Sequence, residues 1–76
     1  MITYTYNVNV ALGNAIRRHR ETRGYNQADF AEMCGLSRAY YGRIERGEHS
    51  LTIERCQLIA SALQIRLADL FEDLPE

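Results

Sequence analysis

The sequence has no lysine, only two cysteines and one proline, and no long apolar run. Its apolar stretches fall far short of the ~20 residues that a membrane-spanning helix needs. The amino end has neither the basic flank nor the apolar run of a secretory signal. We therefore expect a soluble, cytoplasmic protein with no membrane partner.

The scarcity of cysteine excludes a disulfide-stapled scaffold, because Cys34 and Cys56 allow one bridge at most. We predict two small, buried, reduced side chains. With His19 and His49 they would provide zinc-type ligands, but their spacing matches no C-x-x-C or H-x₃-H motif. We expect no metal and no cofactor.

The chain of 76 residues has room for one domain. A domain of this size buries only about 60% of its unfolded surface, so its core needs reinforcement. Since neither a disulfide nor a metal is expected, a second copy of the chain is the predicted reinforcement.

Charge is unevenly distributed along the chain, whose formal net charge is −1. DNA-binding domains usually have an isoelectric point above ~9. Residues 1–47, however, carry seven arginines against four carboxylates, whereas residues 48–76 carry two against six. The first part can face phosphate while the second faces away. All nine basic residues are arginine, which favours bidentate binding of phosphate and guanine, although a genomic bias toward arginine would give the same composition.

Helical periodicity dominates the chain, and its single proline, Pro75, lies near the end. Gly24, Gly35 and Gly47 each follow an amphipathic stretch, where helix C-terminal caps are expected. Apolar residues spaced by three and four, preceded by polar capping residues, predict five helices. The predicted helices are residues 10–23, 27–34, 38–46, 53–63 and 67–72.

The N-terminal segment follows a different pattern, because apolar and polar side chains alternate over residues 2–10. We interpret residues 1–9 as an arm, either frayed or paired as a short strand with a symmetry mate. Asn9 is then the predicted N-cap of the first helix. Residues 10–72 form the domain, and residues 73–76 form a tail.

The second and third predicted helices have the features of a tightly crossed pair. Ala31 is small where the helices meet, Gly35 tolerates the positive φ of a sharp turn, and Leu36 fills the core beneath that turn. Tyr41 and Ile44 are predicted to anchor the third helix in the core. The residues left on the outer face are Ser37, Arg38, Ala39, Gly42 and Arg43.

This arrangement resembles the lambda-repressor-like, Cro-type helix-turn-helix family over about residues 10–72. The matching residues are Leu12-Gly13, Ile16-Arg17, Arg20, Asn26-Gln27, Ala31, Gly35-Leu36-Ser37, Ile44-Glu45-Arg46-Gly47, Ile59-Ala60, Leu63 and residues 67–71. Within the family, residues 38–47 and 51–53 are most similar to controller proteins of restriction–modification systems. The resemblance implies an all-α, five-helix, lambda-repressor-like DNA-binding domain with a short N-terminal arm.

The resemblance also implies roles for individual residues, since the third helix of the family enters the major groove. Arg38 and Ala39 would face base edges, and Arg43 would reach a base or a phosphate. The expected phosphate contacts are Gln27, Ser37, Tyr40 and Arg46. Arg20 and Glu45 would form a structural ion pair between the first and third helices.

Four residues admit a second interpretation. Gln27 can simply extend the end of a helix, and Tyr40 can pack on the loop between the third and fourth helices. Gly42 costs ~1 kcal/mol relative to alanine in a helix, and it either lets DNA approach closely or has no role. His19 stands where the family usually has leucine, so it is either a half-buried neutral side chain or a pH sensor.

One short helix contacts too few base pairs to find its site in a genome. We therefore predict a homodimer on a pseudo-palindromic operator, with half-sites about 34–36 Å apart. The expected dimer surface is Ile65, Leu67, Leu70 and Phe71, although part of this set must belong to the core.

The predicted function is sequence-specific, double-stranded DNA binding by a transcriptional repressor or activator. RNA polymerase is a further candidate partner, and no small-molecule ligand is expected. An enzyme is not expected, because no catalytic triad, glycine-rich phosphate loop or metal spacing occurs. The alternative is an antitoxin or another protein-interaction module with the same fold.

Overall fold

The computed structural model describes residues 7–72 and residue 74, and this part of the chain contains five α-helices and no strand. The helices are α1 (Val8–Thr22), α2 (Gln27–Met33), α3 (Arg38–Glu45), α4 (Ile53–Leu63) and α5 (Leu67–Phe71). The prediction of an all-α, five-helix fold is confirmed.

Side-chain caps determine where the three middle helices begin. Asn26, Ser37 and Thr52 each accept a hydrogen bond from the backbone N–H three residues later, at 2.8, 3.1 and 3.1 Å. Such caps satisfy amide donors that have no partner inside the helix. The starts of α2, α3 and α4 therefore agree with the prediction.

The first helix begins two residues before the predicted start, and its cap is Asn7 instead of Asn9. Asn7 Oδ1 accepts hydrogen bonds from the N–H groups of Asn9 and Val10, at 3.0 and 3.2 Å. The Asn9 side chain instead donates to Ser50 Oγ at 3.3 Å. Either asparagine would be a suitable cap by residue type. In the structure Asn7 caps the helix, and the Asn9 side chain bonds to Ser50, which is distant in sequence.

The predicted arm is consequently shorter than residues 1–9, because Val8 and Asn9 are helical. Residues 1–6 of the arm, to which the alternatives of a frayed segment and a paired strand apply, lie outside the described residues. Most of the predicted tail, at residues 73, 75 and 76, lies outside them as well.

The turn between α2 and α3 depends on Gly35, whose φ is +70°. The N–H of Gly35 donates to the Glu32 carbonyl at 3.0 Å, and the N–H of Leu36 donates to the Ala31 carbonyl at 2.9 Å. These bonds close the end of α2 around a left-handed residue, a conformation that favours glycine. Ala31 is 1% exposed, as expected for a residue at the helix crossing.

All five helices contribute to one apolar core. Its buried side chains are Leu12, Ala15, Ile16, Phe30, Ala31, Cys34, Tyr41, Ile44, Cys56, Ile59, Ala60, Leu63 and Leu70. Both cysteines are unbridged, as predicted. Burial raises the pKa of the Cys34 thiol to about 11 and also raises that of Cys56, so both thiols are protonated at neutral pH.

The carboxyl end of α3 lies in close contact with the backbone of α1. A Cβ atom added to Gly13 would come within 2.5 Å of the carbonyl oxygens of Ile44 and Glu45. A Cβ added to Gly47, just after α3, would lie 2.6 Å from Val10 Cα. Two glycines thus let the carboxyl end of α3 rest directly on the backbone of α1, which fixes how far α3 projects from the domain.

Candidate nucleic-acid interface

The two sides of α3 have very different surroundings. Tyr41, Ile44 and Glu45 are buried, whereas Arg38 and Arg43 are exposed. An open concavity of about 590 Å³ runs along the outer side, and its lining residues are Gln27, Arg38, Ala39, Gly42, Arg43 and Arg46. The structure therefore brings together the three predicted base contacts and two of the four predicted phosphate contacts.

The third predicted phosphate contact, Ser37, is the N-cap of α3 and is exposed. Its Oγ accepts the N–H of Tyr40 at 3.1 Å. A hydroxyl that accepts a capping bond still has its own hydrogen to donate. Ser37 can therefore cap the helix and donate to a phosphate oxygen at the same time.

The fourth predicted phosphate contact, Tyr40, packs against the region between α3 and α4. Its ring centroid lies 5.1 Å from that of His49, and the Arg55 guanidinium lies 4.9 Å from the Tyr40 ring centroid. These contacts support the interpretation of Tyr40 as a packing residue. A phosphate contact by its hydroxyl stays a prediction.

Arg20 and Glu45 form a bidentate ion pair that joins α1 to α3. Arg20 Nε lies 2.6 Å from Glu45 Oε2, and Arg20 Nη2 lies 3.1 Å from Oε1. Arg20 Nη1 also donates to the Tyr25 carbonyl at 2.7 Å. Arg20 and Glu45 are only 7% and 5% exposed, so their charges are largely removed from water.

Glu45 has two further donors that sequence reasoning missed. The Tyr41 hydroxyl donates to Oε2, and Gln27 Nε2 donates to Oε1 at 2.9 Å. Tyr41 precedes Glu45 by four residues, which places both on one helical face and was an available signal. The contact with Gln27 joins different helices, so no local pattern indicates it. Glu45 consequently holds α1, α2 and α3 in one arrangement.

These hydrogen bonds decide the protonation states of the buried groups. Burial alone would raise the pKa of Glu45, but the bonds from Arg20, Tyr41 and Gln27 outweigh it and leave that pKa below its usual value. The bond to Glu45 raises the pKa of Arg20. Burial, together with the bond to Glu45, raises the pKa of Tyr41 far above its ordinary range, so this hydroxyl remains a donor.

The comparison with protein families agrees with this geometry, since the Helix-turn-helix family model matches residues 16–70. The chain belongs to the helix-turn-helix family. The matched range includes α2, the turn at Gly35 and α3. It also includes both partners of the buried ion pair, Arg20 and Glu45.

Several individual proteins are similar to this helix-turn-helix chain. Control protein C.MunI of Mycoplasma sp is 31% identical over 68 residues, which cover 88% of this chain and 92% of that protein. The crystal structure of the restriction–modification controller protein C.AhdI from Aeromonas hydrophila has a TM-score of 0.82 at 33% identity, covering 87% of this chain and all of that one. Some other relatives are longer, and this chain spans less than half of the length of two of them.

A solved complex is also among the similar structures. It contains the restriction–modification controller protein C.Esp1396I as a tetramer bound to its natural 35-base-pair operator. The TM-score is 0.79 at 29% identity, over 90% of each chain. The resemblance to controller proteins noted in the sequence is thus confirmed by both sequence and structure.

The residues of the predicted dimer surface differ in exposure. Leu70 is completely buried in the core, which is the alternative expected for part of this set. Ile65, Leu67 and Phe71 are half-buried and pack against the same core. Leu58 of α4 is 45% exposed, in agreement with the predicted inward face of its helix, which leaves it outside.

No part of the described chain suggests a metal centre. Among residues 7–72 and 74, no three His, Cys, Asp or Glu side chains are grouped around a space that a metal ion could occupy. No helix of that part is long and apolar enough to cross a membrane. His19 is half-buried.

Proposed function

We propose that this chain is a sequence-specific transcriptional regulator that binds double-stranded DNA as a homodimer, with α3 in the major groove. The observation that carries this proposal is the concavity along α3, which is lined by exposed arginines. On the opposite side of the helix, Glu45 forms a buried ion pair with Arg20. Sequence recognition requires a helix in a fixed position and side chains that can bond to base edges. The ion pair holds α3 in place, and the exposed arginines can bond to bases.

Arg38 and Ala39 lie in the first turn of α3, the part of a recognition helix that meets base edges. The Arg38 guanidinium has the geometry to bridge O6 and N7 of guanine, and the Ala39 methyl group suits a thymine methyl. Arg43 lies more than one turn later on the same concavity, within the range of a base or a phosphate.

Contacts with the DNA backbone would fix the register of the domain. We assign this role to Gln27, Ser37, Tyr40 and Arg46. Gln27 uses one amide hydrogen for Glu45, so its second hydrogen is the one available to a phosphate. Gln27 would thereby connect a DNA phosphate directly to the buried ion pair.

A two-fold dimer would double these contacts and place the half-sites about 34–36 Å apart. We propose that its interface includes Ile65, Leu67, Phe71 and, in addition, the exposed Leu58. These residues belong to the part of the chain with net negative charge, which suits a surface remote from DNA. The operator complex of C.Esp1396I, a tetramer, shows that a similar chain assembles on DNA.

The biological role that fits best is that of a controller protein in a restriction–modification system. C.AhdI is described as a restriction–modification controller protein and C.MunI as a control protein, and this chain is similar to both over nearly their whole lengths. A regulatory and non-enzymatic role in the cytoplasm, with RNA polymerase as a candidate partner, is consistent with this proposal. A neighbouring gene for a restriction endonuclease is the expected genomic context.

Selection of binding sites from random duplexes at a stated salt concentration tests the DNA-binding proposal. The wild-type chain should enrich a pseudo-palindrome. Arg38→Ala should relax one base position in each half-site by about 1–3 kcal/mol, whereas Gln27→Ala should weaken all sites alike. The two variants control for each other, because both remove one side chain from the same concavity.

The proposal fails if the wild-type chain shows no preference among duplexes at concentrations where it self-associates. Recovery of a stoichiometric small toxin in a pull-down, together with that failure, would instead favour the antitoxin alternative.

A further inference from the structure

Gly42 is the least expected residue of α3, because it lies in the middle of a helix that is only eight residues long. Glycine weakens a helix interior relative to alanine. The positive-φ glycines of the described chain are Gly24, Gly35 and Gly47. Gly42 has an ordinary helical backbone, so its conformation does not require glycine.

The space beside Gly42 is occupied by the end of another side chain. A Cβ atom added there would lie 3.2 Å from Arg46 Nη1 and 3.9 Å from Gln27 Oε1. Arg46 follows Gly42 by four residues, so its side chain runs back along α3 by one turn. The guanidinium covers Gly42, which is buried although it lines the concavity.

The two side chains beside Gly42, those of Arg46 and Gln27, are each hydrogen-bonded to a carboxylate. Glu48 accepts a hydrogen bond from Arg46 Nε at 2.7 Å, which fixes the stem of the guanidinium and leaves Nη1 over Gly42. Glu45 accepts Gln27 Nε2 at 2.9 Å, which turns the amide oxygen of Gln27 toward Gly42.

We propose that Gly42 is a positioning residue, which leaves room for the Arg46 guanidinium to lie inside the concavity of α3 and bind a phosphate of the DNA backbone there. The inference rests on the proposed function, because it assigns the concavity to DNA. Arg46 then binds from inside the concavity, beside Arg38 and Arg43, instead of from its outer margin.

Gly42→Ala tests this role, because it should separate stability from binding. The added methyl group should stabilise α3 and raise the melting temperature by about 4–8 °C, since only the flexible end of Arg46 must move. Affinity for the selected operator should fall about threefold to tenfold. The loss should be equal for all sequences, and the plot of log K against log salt should become shallower by about 1.8, because a dimer would lose one phosphate contact in each half-site. A purely structural glycine would not give a more stable protein that binds DNA less well.

A double-mutant cycle identifies the partner of Gly42. Arg46→Ala should weaken binding and reduce the salt dependence, and Gly42→Ala should then have no further effect in the Arg46→Ala background. Asn14→Ala is the matched control, because Asn14 is exposed on α1 outside the concavity. It should stabilise a helix without changing DNA affinity.

Two outcomes would overturn the inference while leaving the proposed function intact. In the first, Gly42→Ala binds the selected operator as tightly as the wild type. In the second, Gly42→Ala weakens binding equally with and without Arg46, which would mean that DNA itself fills the space. Failure of the proposed function would look different, because the wild type would then select no operator.

Discussion

The inner and outer faces of α3 are formed by the same eight residues, but they differ in the burial and hydrogen bonding of their charged side chains. On the inner face, the Glu45 carboxylate accepts hydrogen bonds from Arg20, Tyr41 and Gln27. On the outer face, Arg38 and Arg43 project into an open concavity. The inner face determines where the helix lies, and the outer face is free to determine what it contacts.

The same contrast separates the ion pairs of the molecule. The side chains of Arg20 and Glu45 are 9% and 3% exposed, whereas those of Arg46 and Glu48 are 57% and 50% exposed. Removing one partner of a buried pair leaves an unpaired charge away from water, but removing one partner of an exposed pair leaves a solvated charge. The two ion pairs therefore have similar N–O distances, 2.6 and 2.7 Å, but the loss of one partner should destabilise the protein much more at the buried pair.

The largest effect is expected from Arg20→Ala. It should lower the free energy of unfolding by about 3–5 kcal/mol, because Glu45 keeps its charge but loses its bidentate partner. Urea denaturation measures this loss, and Tyr41→Phe provides a milder change at the same carboxylate if Arg20→Ala does not fold. Glu48→Gln, which alters the exposed pair, should change stability little. Equal losses at the buried and exposed pairs would contradict the distinction.

A smaller effect is expected from acid. Because the pKa of Glu45 is lower in the folded than in the unfolded chain, its contribution to stability is complete above the usual glutamate pKa of about 4.3. That contribution should be lost as the pH falls below this value toward the pKa of Glu45 in the folded protein. Carbon NMR of the Glu45 carboxyl group and urea denaturation at each pH measure the two quantities. A Glu45 titration midpoint at or above 4.3 would be evidence against the buried network.

The smallest effect on stability is expected from Arg43→Ala, on the outer face. Its free energy of unfolding should stay within about 0.5 kcal/mol of the wild type, because the side chain is exposed. Affinity for the selected operator should nevertheless fall, and thermal melting and fluorescence anisotropy measure the two properties. A variant that lost stability and affinity together would show that the two faces are not independent.

Local signals were sufficient to predict where most helices begin. Asn26, Ser37 and Thr52 each stand directly before a helical apolar pattern, and each caps its helix in the structure. The start of α1 was wrong because Asn7 and Asn9 are equally good caps in sequence. The hydrogen bond between Asn9 and Ser50 joins residues that lie 41 positions apart, so no local pattern contains it.

The candidate site shows the same limit. Helical periodicity placed Arg38, Ala39 and Arg43 on the outer face, and the structure brings them together. Periodicity could not separate core from surface within α5, where Leu70 is buried but Leu67 and Phe71 are only half-buried. That division depends on how α5 packs against the other helices.

The amino-acid sequence alone determined the five helices, the turn at Gly35 and the arginines that follow it, because caps, periodicity and positive φ are properties of neighbouring residues. The tertiary structure decided that Glu45 is shared by three helices and that Arg46 covers Gly42 beside Gln27. The contacts of Glu45 with Arg20 and Gln27, and the position of Gln27 beside Gly42, exist only when α1, α2 and α3 are packed together, because each joins residues of different helices.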